Sequence, residues 1–122
     1  MKTVFIASSR KYYDGVKAIK VQLDALGVKG FYPYFELTNI EEDEEAKKSA
    51  TMRHFPELDR VDALYVFSPD GYVGCSVTIE TAYAFAKGKE IISSEPVSEL
   101  AVRGLVSRVM TPDEFVKYCI SV

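Results

Sequence analysis

The chain has 122 residues, 48% of them hydrophobic and 27% charged, which excludes intrinsic disorder and allows one compact domain, residues 1–122, that buries roughly two-thirds of its unfolded surface. A formal net charge of −3 excludes a protein that tracks the phosphate backbone of a nucleic-acid polymer. Cys75 and Cys119 fit no metal or redox spacing and His54 is the only histidine, so neither a metal site nor a cofactor is expected.

The opening MKTVFIASS has one lysine and then four apolar residues, Val4 to Ala7, too few for a signal peptide or a membrane span. They read as a buried strand of a cytoplasmic protein with no membrane partner. After SSRKYYDG, Val16, Ile19, Leu23 and Leu26 recur at helical spacing, and Gly27 is placed to end that helix. GFYPYFE reads as a short aromatic strand that Pro33 confines to an edge or ends early. In NIEEDEEAKKSATMRHF, Asn39 is the expected N-cap, and the acids Glu41 to Glu45 followed by Lys47 and Lys48 suit the helix dipole. A second helical turn, PELDRV, leads into DALYVFS, where the unbroken apolar run Ala63 to Phe67 predicts the central strand of a sheet covered on both faces. EIISS is the next strand, SELAVRGL a helix, SRVM a short strand, and TPDEFVKYCI a closing helix opened by Thr111 and Pro112.

Strands alternate with helices throughout. The fold class is therefore α/β: a single doubly wound domain, flavodoxin-like or Rossmann-like, with about five parallel strands flanked by helices. Ligands of such sheets sit outside the carboxyl ends of the strands, so loops 8–15, 68–78 and 93–99 should frame the site. Within DGYVGCSVTIETAYAFAKGK, Ile79, Ala82, Tyr83 and Ala86 fall at i, i+3, i+4 and i+7 and are expected to bury one helical face. Glu80 lies beside that stripe, in the first turn. An acid there complements the helix dipole by about 0.3–1 kcal/mol. Facing the ligand crevice, with Gly71 and Gly74 letting a substrate approach the backbone, the same carboxylate can act as nucleophile or base. Ser76 is either the N-cap of this helix or a hydrogen-bond partner for sugar or phosphate.

DALYVFSPDGYVGCSVTIETAYAFAKGKEI resembles the signature of the nucleoside 2-deoxyribosyltransferase superfamily. Asp62 stands at the family's strand aspartate, Gly71 and Gly74 in its glycine-rich loop, and Glu80 at its catalytic glutamate. Ala82, Ala84, Gly88 and Lys89 match its small-residue helix ending in Gly-Lys. The resemblance covers most of the chain in topology, and its specific part is this stretch. It implies that Glu80 attacks C1′ of a nucleoside, displaces the base, and forms a ribosyl-enzyme ester that a second base or water resolves. As in a retaining glycosidase, the carboxylate stabilises an oxocarbenium-like transition state. Two departures stand out. Gly74 replaces an aspartate that the transferases often carry six residues before the glutamate, which removes one group that assists the leaving base. His54 replaces the family's second acid eight residues before the strand aspartate; it is suited to proton work near neutral pH, or to packing at a helix end beside Phe55 and Pro56.

ASSR, Ala7 to Arg10, resembles the Ser-x-Arg loop of the related 2′-deoxynucleoside 5′-monophosphate N-hydrolases, which implies that Ser8 and Arg10 hold a 5′-phosphate. An ordinary polar loop with a capping serine is the plainer account. Tyr12 and Tyr13 either stack on the base and cover the sugar or pack at the helix start. Asp70 is assigned with Gly71, Gly74 and Ser76 to the substrate-binding loop. The same aspartate matches the phosphoacceptor of a response-regulator receiver, but Ser8 and Ser9 occupy the place of the acidic pair that a receiver needs for magnesium. An FMN binder would need a longer Ser/Thr/Gly run in the first loop. Two alternatives stay open: a non-catalytic nucleotide sensor in which Glu80 holds a ribose hydroxyl, and a phosphoribohydrolase of the Lonely Guy type, whose Pro-Gly-Gly-x-Gly-Thr turn is absent. Relatives implied by the resemblance are dimers or larger oligomers, so a homodimer or higher homo-oligomer is expected, with the loop near Ser98 and Glu99 reaching across. Transferase and hydrolase are not separated, and the expected partner is a small nucleoside or nucleotide.

Overall fold

β1 (Val4–Ala7) and β3 (Ala63–Val66) lie side by side in a five-stranded parallel sheet of order β2-β1-β3-β4-β5, completed by β2 (Gly30–Phe31), β4 (Glu90–Ser93) and β5 (Arg108–Val109). The computed structural model describes residues 1–35 and 43–121. Among these residues five α-helices connect and flank the strands: α1 (Tyr13–Ala25), α2 (Glu44–Asp59), α3 (Cys75–Ala86), α4 (Leu100–Arg103) and α5 (Pro112–Ile120). A 3-10 turn, Arg10–Tyr12, leads into α1. This is the doubly wound α/β arrangement that the alternation of elements predicts, with the flavodoxin-like strand order.

Alternate strand residues point to opposite faces, and both faces are buried, which is why the central runs are continuously apolar. Val4, Ile6, Ala63, Tyr65 and Ile92 pack with Val16, Ile19 and Leu23 of α1 and Phe115 and Cys119 of α5. Phe5, Ala7, Leu64, Val66 and Ile91 pack on the other side with Leu58 of α2 and Val77 and Ala84 of α3. Tyr65 is fully buried, and its hydroxyl donates to the Met110 carbonyl at 2.8 Å, so its polar end is satisfied. Thr111 caps α5 in a reciprocal capping box with Glu114.

The structure departs from the sequence expectations in four places. Leu26 is the exposed C-cap of α1 and not part of its buried stripe, because the helix ends at Ala25. The turn PELDRV is not separate: α2 runs through Pro56, and the burial of His54 and Leu58 on either side of the proline outweighs the one hydrogen bond it removes. Asp43 caps α2, its carboxylate accepting from the Glu45 and Ala46 amides, whereas Asn39, Glu41 and Glu42 lie outside the described residues.

The fourth departure concerns the helix that carries Glu80. The buried stripe of α3 is Val77, Glu80, Thr81 and Ala84, while Ile79, Ala82 and Ala86 are exposed and Tyr83 is half-buried. The helix is N-capped by Gly74, with Ser76 already inside it, so Glu80 sits in the second turn and points inward. Compensation of the helix dipole in the first turn does not account for it. Among the described residues no helix is long and apolar enough to cross a membrane.

Candidate active site

The chain crosses to one face of the sheet after β1 and to the other after β3, and the loops leaving these neighbouring strands part to open a crevice. Ser8 ties its floor together, its hydroxyl donating to the Phe67 carbonyl at 2.7 Å. The resulting cavity has a volume of about 430 Å³, within the range of small-molecule sites. Its walls come from four segments: the first loop (Ser8, Ser9, Arg10, Tyr13), the chain after β2 (Pro33, Tyr34), one face of α2 (Lys47, Thr51, His54), and Tyr72 with the start of α3 through Glu80.

Glu80 is 7% exposed, and burial, with the nearby charge of Glu57 adding to it, pushes its carboxyl up to about 8. Nε2 of His54 stands 3.7 Å from Oε2 of Glu80. On the other side of the ring, Nδ1 of His54 lies 2.7 Å from Oε1 of Glu57. The imidazole is held in place by Tyr34, stacked at 4.4 Å between ring centroids, and by the edge of Phe5 at 5.0 Å. A neutral Glu80 beside an imidazole has a ready acceptor for its proton. Transfer to Nε2 would leave a buried carboxylate beside an imidazolium, a pair suited to nucleophilic attack and general-acid assistance.

The rest of the cavity favours an anion. Arg10 and Lys47 bring cationic side chains to it, and the first turn of α3, whose N-cap Gly74 has no side chain to satisfy the amides, opens on the same space. The Ser9 hydroxyl is buried with no hydrogen-bond partner among the described residues. Tyr13 lies between the two regions: burial raises its phenol, Arg10 opposes this through charge and a hydrogen bond, and the charge of Glu80 adds to the rise.

No protein-family profile matches the chain, and no curated protein is detectably similar in sequence. Solved structures do match. A 2-deoxyribosyltransferase from Bacillus psychrosaccharolyticus superposes with a TM-score of 0.73 at 16% identity, covering 97% of this chain and 93% of the other. The chain has the fold of a 2-deoxyribosyltransferase. The Clostridium botulinum CMP N-glycosidase BcmB superposes with a TM-score of 0.57 at 19% identity over 96% of both chains. A conserved protein from Enterococcus faecalis V583 gives a TM-score of 0.62 at 13% identity over 96% of both chains.

On this deoxyribosyltransferase fold, Ser8, Arg10, Tyr13, His54, Gly74, Ser76 and Glu80 converge on the cavity, and Tyr12, Asp70 and Gly71 do not. The Tyr12 hydroxyl instead donates to Asp70 Oδ2 at 3.0 Å. Gly71, at φ +77°, turns the chain against residues 96–98, its carbonyl accepting from the Ser98 amide at 2.9 Å. Loop 93–99 contributes nothing to the cavity lining, and Glu99 caps α4 by accepting from the Val102 amide. Sequence reasoning missed Ser9, Tyr34, Lys47, Thr51, Glu57 and Tyr72. Lys47, Thr51 and His54 fall at i, i+4 and i+7, so the spacing on α2 carried a signal for that wall once His54 was suspected.

Proposed function

We propose that the chain cleaves the N-glycosidic bond of a nucleoside or 2′-deoxynucleoside, or of its 5′-monophosphate, through a ribosyl ester on Glu80. The observation that carries this reading is the buried Glu80 carboxyl paired with His54 in the wall of a nucleotide-sized cavity. The deoxyribosyltransferase and the CMP N-glycosidase among the structural neighbours act on this class of bond, and they support the reading by analogy of fold.

In the first step, Glu80 Oε attacks C1′ as the bond from C1′ to the base nitrogen breaks, and the base leaves with a proton. Glu80 begins protonated and ends as an ester, so acid and glycoside become ester and free base with atoms and charge balanced. In the second step, water or an acceptor base attacks C1′ and Glu80 departs as the acid or carboxylate. Arg10, Lys47, Ser9 and the α3 amides hold the 5′ end of the substrate, and their charge favours a monophosphate. A second copy of the chain covers the outward side of α3, where Ile79 and Phe85 are 44% and 51% exposed beside the exposed Ala82.

The test is chromatography of free base after incubating the protein with nucleosides, 2′-deoxynucleosides and their 5′-monophosphates, with and without an acceptor base. Base release that Glu80→Ala abolishes is the expected result, and dependence on the acceptor separates transferase from hydrolase. Binding of nucleotides without release by wild type would replace the enzyme with a nucleotide sensor.

A further inference from the structure

His54 has two carboxylate neighbours, and only one is needed as a nucleophile. Glu57 lies one helical turn beyond His54 on α2, its side chain 24% exposed, with Oε1 at 2.7 Å from Nδ1. An ionised carboxylate only accepts, so that contact places the proton on Nδ1 and leaves the lone pair of Nε2 toward Glu80, 3.7 Å away. Resting on the glycosidic reading above, we propose that Glu57 is a positioning residue: it fixes the tautomer and orientation of His54 so that the imidazole carries the Glu80 proton to the departing base.

The step balances. Nε2 takes the proton from Glu80 Oε2, the freed carboxylate forms the bond to C1′, the electron pair of the broken bond stays on the base nitrogen, and that nitrogen takes the proton from Nε2. The Glu57 charge offsets the imidazolium that exists between the two transfers, and Glu57 itself gains and loses nothing. This supplies the assistance to the leaving base that Gly74 cannot provide. The groups facing the ring are all of one plan. Tyr34 after β2 stacks on it and Phe5 from β1 meets it edge-on, neither competing for its nitrogens, and Arg53 stacks on Tyr34 at 4.6 Å. Glu80 meets the ring from α3, Arg10 and Tyr13 line the same cavity from the first loop, and Lys47 lines it two turns before His54 on α2.

The experiment compares Glu57→Gln, Glu57→Asp and Glu57→Ala on two substrates: a nucleoside that wild type cleaves, and the matching 4-nitrophenyl deoxyriboside, whose phenolate leaves without a proton. Glu57→Gln is expected to slow release of the natural base by about 100-fold near pH 7 and the 4-nitrophenyl release by less than about threefold at pH 9.5, where Glu80 is ionised without help from His54, with partial recovery in Glu57→Asp. Because His54 is the sole histidine, its 15N spectrum is unambiguous: wild type is expected to show the Nδ1-protonated tautomer, and Glu57→Ala to lose it. Equal slowing of both substrates overturns the role in favour of a merely structural one, and so does slowing of neither. Wild type that releases no base in a Glu80-dependent way overturns the glycosidic reading itself, and this role with it.

Discussion

Nε2 of His54 stands 3.7 Å from Oε2 of Glu80, and their side chains are only 8% and 9% exposed. A carboxyl enclosed in this way is harder to ionise folded than unfolded, and its value moves from 4.5 to about 8. The folded state then binds more protons than the unfolded state across that window. Stability from this group is fully present below about pH 4.5 and is lost as pH rises through about 8. Glu80→Gln, which mimics the protonated form, should melt several degrees above wild type at pH 9, a gap on the order of 5 kcal/mol when fully developed. Thermal melts of both proteins from pH 4 to pH 9.5 check this. Parallel curves would mean that Glu80 ionises as freely folded as unfolded.

The same proton shapes the rate. On the proposed mechanism, the reactive free enzyme carries one proton on the Glu80 and His54 pair, whichever of the two holds it, and gives that proton to the base. Losing it above about pH 8 leaves a nucleophile but no acid, so kcat/KM for a natural nucleoside is expected to fall by tenfold per pH unit on that limb. Rates measured from pH 5 to pH 10 read it directly. A rate that keeps rising through pH 9 would place the proton donor elsewhere.

Arg10 and Lys47 reach the cavity from two different walls, the first loop and α2. Arg10→Ala and Lys47→Ala should each raise KM for a 5′-monophosphate by roughly 10-fold, a loss of about 1.4 kcal/mol, while changing KM for the unphosphorylated nucleoside less than threefold. Tyr12→Phe breaks the hydroxyl contact to Asp70 outside the cavity and should leave both values unchanged. Equal effects of Arg10→Ala on the two substrates would remove the phosphate from this end of the site.

The sheet was legible because its signals are redundant. Val4 to Ala7 and Ala63 to Val66 are unbroken apolar runs between helical periods, and each became a buried parallel strand. The orientation of α3 was not legible from hydrophobicity, since a stripe chosen for its apolar residues lands on Ile79 and excludes Glu80, whereas the fold buries Glu80 and exposes Ile79. Sequence rules fail at that point because the inward face of α3 lines a cavity and its outward face holds apolar surface that the described residues leave exposed. Glu57 gave no signal of its own, because an acid in a run of helical charges acquires meaning only from the histidine three residues before it.

Gly71 and Gly74 look interchangeable in the sequence, and the structure gives them different duties. Gly71 adopts φ +77°, where a side chain strains the backbone, and an added Cβ would lie 2.8 Å from both the Pro96 carbonyl oxygen and the Ser98 hydroxyl. Gly74 has φ −89°, and its added Cβ would meet Ser9 Oγ and the Tyr72 hydroxyl at 3.5 Å, an ordinary contact. Gly71→Ala should therefore cost about 2–4 kcal/mol, combining left-handed strain with displacement of the 96–98 segment. Gly74→Ala should cost no more than about 1 kcal/mol, the loss of a favourable N-cap. Urea midpoints at constant m-value separate the two. Equal midpoints for the variants would show that the 96–98 segment moves aside freely and that the turn at Gly71 does not hold the loop leading into α3.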